Sequence, residues 1–167
     1  MEAFPNLPVE EEGRLCDARL RENWIERVFA YADLCRLWAS DWTIGDLIKF
    51  HSRYKISLLA HSQHDYCQLG RLVAKAKAAS RTRLREAYET TFMRALTRIA
   101  TRRNNTNALQ HISGFFKRHL DGTSRAELAS HIEDYRAGFV PLSVPLTLVR
   151  HFVRSFDVRY LNEQTFL

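Results

Sequence analysis

Residues 50–62 read FHSRYKISLLAHS. Phe50, Tyr54, Leu58 and Leu59 recur at helical spacing, continued upstream by Leu47 and Ile48, which predicts a helix with one side in a core. His51 and Lys55, one turn apart, fall in the middle of that apolar stripe. Lysine is almost never fully buried without a partner, and stripping an ion of water is costly even after relaxation. Two readings fit this placement. Lys55 either lays its stem along the core with its ammonium at the edge, or it lines a positive recess that receives an anion. Arg53, about half a turn round, extends the basic surface.

The same logic spreads outward. Asp17 is placed to cap a first helix reaching about Ser40, after an irregular opening with Pro5 and Pro8. Thr43 followed by Asp46 resembles a capping box for the helix that ends near His61, and Ser62 followed by Asp65 repeats the signal for a third, to about Ala79. A fourth helix is expected from about Ser80 to Arg102, a break at Asn104-Asn105, and a fifth over roughly 106–120, ending at Asp121-Gly122. Thr123 or Ser124 would cap a sixth, to Gly138. Pro145 suits the first turn of a seventh, to about Phe156. With no strand alternation, the expectation is a single compact all-α domain of about seven helices, the last eleven residues being left unassigned.

Composition agrees. At 167 residues the chain has the length of one domain, and 10 Phe, 6 Tyr and 3 Trp argue against disorder. No run approaches the length of a membrane span and the acidic N-terminus has no apolar signal core, so no membrane partner and a cytoplasmic location are expected. Cys16, Cys35 and Cys67 are widely spaced with no C-x-x-C pair. They read as small core residues rather than as disulfides, a zinc ribbon or cluster ligands. His61 and His64 share a helical face, but no further ligand joins them at metal spacing, and neither a nucleophile elbow nor a glycine-rich phosphate loop is present. No metal, no cofactor and no catalytic constellation are expected.

Charge is the informative feature. Residues 71–103 hold 10 basic residues and only Glu86 and Glu89 as acids, whereas the rest of the chain has 15 basic and 17 acidic. A basic stripe on an otherwise balanced protein is the footprint of a polyanion binder. Its cations include Arg71, Lys75, Lys77, Arg81, Arg85, Arg98 and Arg102. The fifth helix adds Asn107, Gln110, Gly114 and Lys117 on the side opposite its core stripe, a surface for phosphate, sugar or base edges if it is not merely solvated. The seventh places Arg150, His151 and Arg154 together. Arg150 and Arg154, one turn apart, either clamp a phosphate or pair with acids elsewhere.

The blocks FHSRYKISLLAHSQHDYCQLGRLVA, NALQHISGFFK and YRAGFVPLSVPLTLVRHFVRSFDVRYLNEQTFL together resemble the YbgA-like family, over about residues 20–167. The pattern departs from that family at Tyr54, where His is expected, and near Val158, where Pro is expected. The resemblance implies a helical domain over 17–167, found alone or fused behind a TudS-like thiouracil desulfidase domain, as in RudS-type enzymes acting on 4-thiouridine in tRNA. It also makes residues 1–16 similar to the junction that follows such a domain. The desulfidase domain itself is absent, and Cys16, Cys35 and Cys67 match none of its cluster motifs. By that resemblance the chain is a module that holds tRNA or another structured RNA, working with a desulfidase domain or protein. The alternative is a small enzyme or ligand-binding domain with an anionic substrate in a pocket around His51, Lys55, His61 and His111.

Overall fold

A computed structural model describes residues 5–167; the first four residues of the expected junction lie outside it. Among the described residues there are helices and turns but no strands, so the all-α reading holds. The helices are α1 (Ala18–Ala39), α2 (Ile44–His61), α3 (Gln63–Ala74), α4 (Arg81–Thr97), α5 (Arg102–Ser113), α6 (Gly122–Ala137), α7 (Ser143–Ser155) and the short α8 (Arg159–Asn162). They gather into two compact units: 5–52 with 61–99, and 53–60 with 100–167. Helix α2 contributes to both.

The helix starts follow local chemistry. Asp17 accepts from the amides of Arg19 and Leu20, satisfying donors at the start of α1 that have no partner within the helix. At α2, the Thr43 amide and hydroxyl donate to Asp46, whose own amide donates to Thr43 Oγ1, closing the capping box. Ser62 Oγ accepts from the Asp65 amide at 3.2 Å and starts α3. Helices α3 and α5 end earlier than expected, at Ala74 and Ser113 rather than about Ala79 and 120, each followed by a short 3-10 turn, and two starts differ as well. The break after α4 comes at 98–101, because Thr101 Oγ1 caps the Asn104 amide and Asn105 turns inward to donate to Tyr135 Oη at 3.1 Å. Likewise α6 is capped by Asp121, which accepts from the Ser124 amide at 2.7 Å, so Gly122 opens the helix. Gly138 ends α6 with φ 93°, a left-handed conformation in which glycine carries no Cβ penalty.

The first unit centres on stacked and edge-on aromatics: Trp38 against Trp42 at 5.0 Å, Phe50 against Phe92 at 5.3 Å and Tyr88 against Phe92 at 5.9 Å. Leu34, Leu69, Leu84 and Leu96 complete it, all essentially sealed from solvent. In the second unit Ile56 and Ala60 of α2 join Leu109, Ile112, Phe116, Leu128, Val149, Phe152 and Leu161 in one cluster. The three cysteines are exposed and free, not core residues as their helical surroundings implied. Lys55 is exposed as well, which corrects its placement in the apolar stripe. Seven residues away on α2, Ile48 is also exposed, and the two mark a line of the helix that the core does not cover.

Candidate nucleic-acid interface

In the first unit, α3 and α4 pack together and one carboxylate decides how the neighbouring cations are used. Asp65, on the first turn of α3, is fully buried. Its Oδ1 accepts from Arg94 Nη2 at 2.7 Å and Nε at 3.2 Å, while Oδ2 accepts from Ser62 Oγ at 2.8 Å. His64 Nδ1 lies 3.3 Å away and Arg98 Nε 3.8 Å away. Burial works against ionisation, but the hydrogen bonds from Arg94, Ser62 and His64 outweigh it and hold the carboxyl below its ordinary range. Arg94 and Arg98, both drawn from the basic stripe, are thereby paired with a carboxylate of the protein itself, while their side chains stay 47% and 61% exposed. Arg102, in the second unit, donates to the main-chain oxygen of Tyr135 and sits over its ring at 5.1 Å. It closes the last turn of α6.

Residues 71–85 behave differently. They include Arg71, Lys75, Lys77, Arg81, Arg83 and Arg85 with no Asp or Glu, and all six side chains are exposed. Arg81 lies over the Trp42 ring at 4.5 Å and Arg85 over Trp38 at 5.6 Å. This stacking orients a guanidinium without occupying its in-plane donors. Among the described residues none of the six is in ion-pair contact with a carboxylate. Between the two helices runs a groove of about 390 Å³ lined by Gln68, Arg71, Leu72, Lys75, Ala79, Arg83, Leu84 and Ala87. The floor is apolar and three cations stand around it.

The remaining predicted contacts lie in the second unit, where Arg53, Gln110, Lys117, Arg150, His151 and Arg154 are exposed. The proposed Arg150–Arg154 clamp is partly committed: Arg150 Nε donates to the main-chain oxygen of Leu167, and Arg154 Nε to that of Arg150. Gly114 opens a single 3-10 turn after α5, and a Cβ there would meet nothing within 4 Å, so packing does not explain the glycine.

The pocket residues divide between the units. His51 is buried, with Nδ1 3.1 Å from Tyr88 Oη, and belongs to the first. So does His61, whose Nδ1 bonds the Arg98 carbonyl and whose Nε2 lies 3.0 Å from Glu26. Burial disfavours its charge, but Glu26 and the carbonyl more than compensate and raise its pKa. Lys55 and His111 belong to the second unit and are exposed. Among the described residues no group of three His, Cys, Asp or Glu side chains is placed to hold a metal ion.

Sequence reasoning counted the charge but missed the groove. Gln68, Leu72 and Ala87 were not singled out, and Arg83 was counted in the stripe without being assigned a contact. The signal was present as i, i+3, i+4 spacing: 68, 71, 72 and 75 share one side of α3, and 83, 84 and 87 one side of α4. Asp65 was read only as part of a cap, because nothing local connects it to Arg94, 29 residues on.

Residues 55–167 match the model of a family described as "Protein of unknown function (DUF1722)". The chain is 35% identical over 149 residues to the "Uncharacterized protein YbgA" of Escherichia coli (strain K12), covering 89% of this chain and 88% of that protein. No solved structure matches. With the match running from the middle of α2 through α8, and a relative this similar over nearly its whole length, the chain belongs to the DUF1722 family, the YbgA-like proteins of unknown function.

Proposed function

We propose that the chain is an RNA-binding module, with tRNA or another structured RNA as its ligand, and that the α3–α4 face of the first unit is the principal contact. The observation that carries this is the run of six exposed cations over 71–85 with no carboxylate among them. Placing six like charges on one short stretch costs self-repulsion, which a polyphosphate relieves on binding while releasing its counterions. Arginines stacked on tryptophan keep their donors fanned outward, a geometry suited to phosphate oxygens. The exposed side chains Gln110, Lys117, His151 and Arg154 would supply further contacts, and folded RNA is recognised largely by shape and backbone. The resemblance described above adds a thiouridine desulfidase domain or protein as the enzyme such a module serves.

The reading of a small-molecule site around His51 and His61 receives less support, since both imidazoles are already bonded to protein groups. The test is binding of the purified chain to a folded tRNA, followed by fluorescence anisotropy between about 50 and 200 mM salt. A protein neutralising about six phosphates loses roughly a thousandfold in affinity over that range. Absence of binding at the lowest salt, or binding indifferent to salt, would overturn the proposal.

A further inference from the structure

The α3–α4 groove has a feature that phosphate attraction leaves unexplained: its floor is apolar. Leu72, Ala79, Leu84 and Ala87 form it, while Arg71, Lys75, Arg83 and Gln68 stand around it. A site for phosphate alone needs donors and gains nothing from leucine and alanine. A cavity of about 390 Å³ falls in the range of sites for small organic ligands.

Gln68 sharpens the picture. Its Oε1 accepts from Arg94 Nη2 at 2.9 Å, and Arg94 is itself fixed by Asp65. Arginine has donors only, so the amide cannot be reversed without losing this bond. The carbonyl is therefore occupied and the NH2 is the end left to donate to a ligand acceptor. The groove thus combines an apolar surface, one oriented neutral donor and three cations. A nucleotide matches each part: a base face for the floor, a ring acceptor for Gln68 and a phosphate for Arg71 or Arg83.

We propose that the groove receives one unstacked nucleotide of the bound RNA, its base lying on Leu72, Ala79 and Ala87 and its phosphate held by the surrounding cations. This rests on the RNA-binding reading and narrows it. Within an A-form duplex both faces of each base are covered by its neighbours, so only a loop, bulge or end offers a base to an apolar floor.

The experiment compares two RNAs of equal length and charge, a blunt duplex and a hairpin with an unpaired loop, on the full chain. Two variants fill the groove without altering charge: Ala79→Leu, at an exposed position, and Ala87→Leu. Wild type is expected to favour the hairpin by about tenfold, the scale of removing roughly 50 Å² of apolar surface from water. Both variants lose that preference while binding the duplex as before with the same salt dependence. AMP and UMP should shift amide resonances of 68–87 where ribose 5-phosphate and inorganic phosphate at equal concentration do not. Equal wild-type affinity for the two RNAs, or a preference that survives both variants, overturns the inference and leaves RNA binding standing. Failure of wild type to bind either RNA overturns both.

Discussion

Two stretches of the same basic stripe, 71–85 and 94–102, look alike in the sequence and differ in the folded chain. In the second, Arg94 and Arg98 converge on Asp65, and Arg102 is bound to the Tyr135 carbonyl. In the first, six exposed cations meet aromatic rings or solvent. One buried carboxylate makes much of the difference. A count of arginines measures how much positive charge a fold carries, while the position of its acids determines how much remains for a partner.

Substitutions in either stretch put this contrast to the test. The largest effect on binding is expected from Arg71→Glu, Lys75→Glu and Arg83→Glu together, which should weaken tRNA binding by more than about a hundredfold at low salt while the chain stays folded. Circular dichroism checks the fold and anisotropy the binding. Next, Asp65→Ala leaves Arg94 and Ser62 without their acceptor and should lower stability by about 2–3 kcal/mol, the scale of lost hydrogen bonds to a charged group. Urea denaturation measures this, and a variant as stable as wild type would remove Asp65 from its organising place. Smaller is Tyr88→Phe, which removes the bond to His51 and should cost about 1 kcal/mol.

The smallest effect is expected from pH. The fold raises the pKa of His61 above its ordinary 6.5, so its contribution to stability is complete below that value and fades as pH rises through the higher folded value. Wild type should therefore lose stability relative to His61→Gln on going from about pH 6 to pH 8. A gap that widens with pH would show that the imidazole is held neutral in the fold. Asp65 runs the other way: its lowered pKa gives stability that is present above its ordinary 3.8 and lost as pH falls below that value.

Much of the fold was legible because helix starts are local. Asp17, the Thr43–Asp46 pair and Ser62 each satisfy amides within three residues, and those boundaries were placed closely. The α4–α5 break was misplaced because Asn104-Asn105 has the composition of a turn, whereas the partner that draws Asn105 into a helix, Tyr135, is 30 residues away. The same separation of scales governs the site. Net charge over 71–103 needs no structure to read, but which cations are engaged depends on tertiary contacts with Asp65, Tyr135 and the two tryptophans. Lys55 was left between two readings for a related reason: helical spacing gives the direction of a side chain, not whether anything packs there.

Two matched variants, compared by the salt dependence of tRNA binding, separate the two stretches. One carries Arg71→Ala, Lys75→Ala and Arg83→Ala, and the other Arg94→Lys and Arg98→Lys. The slope of log affinity against log salt should fall by roughly three in the first, about one for each lost phosphate contact, and stay at the wild-type value in the second. Equal slopes in wild type and the first variant would contradict this, because the exposed cations of α3 and α4 would then carry no phosphate.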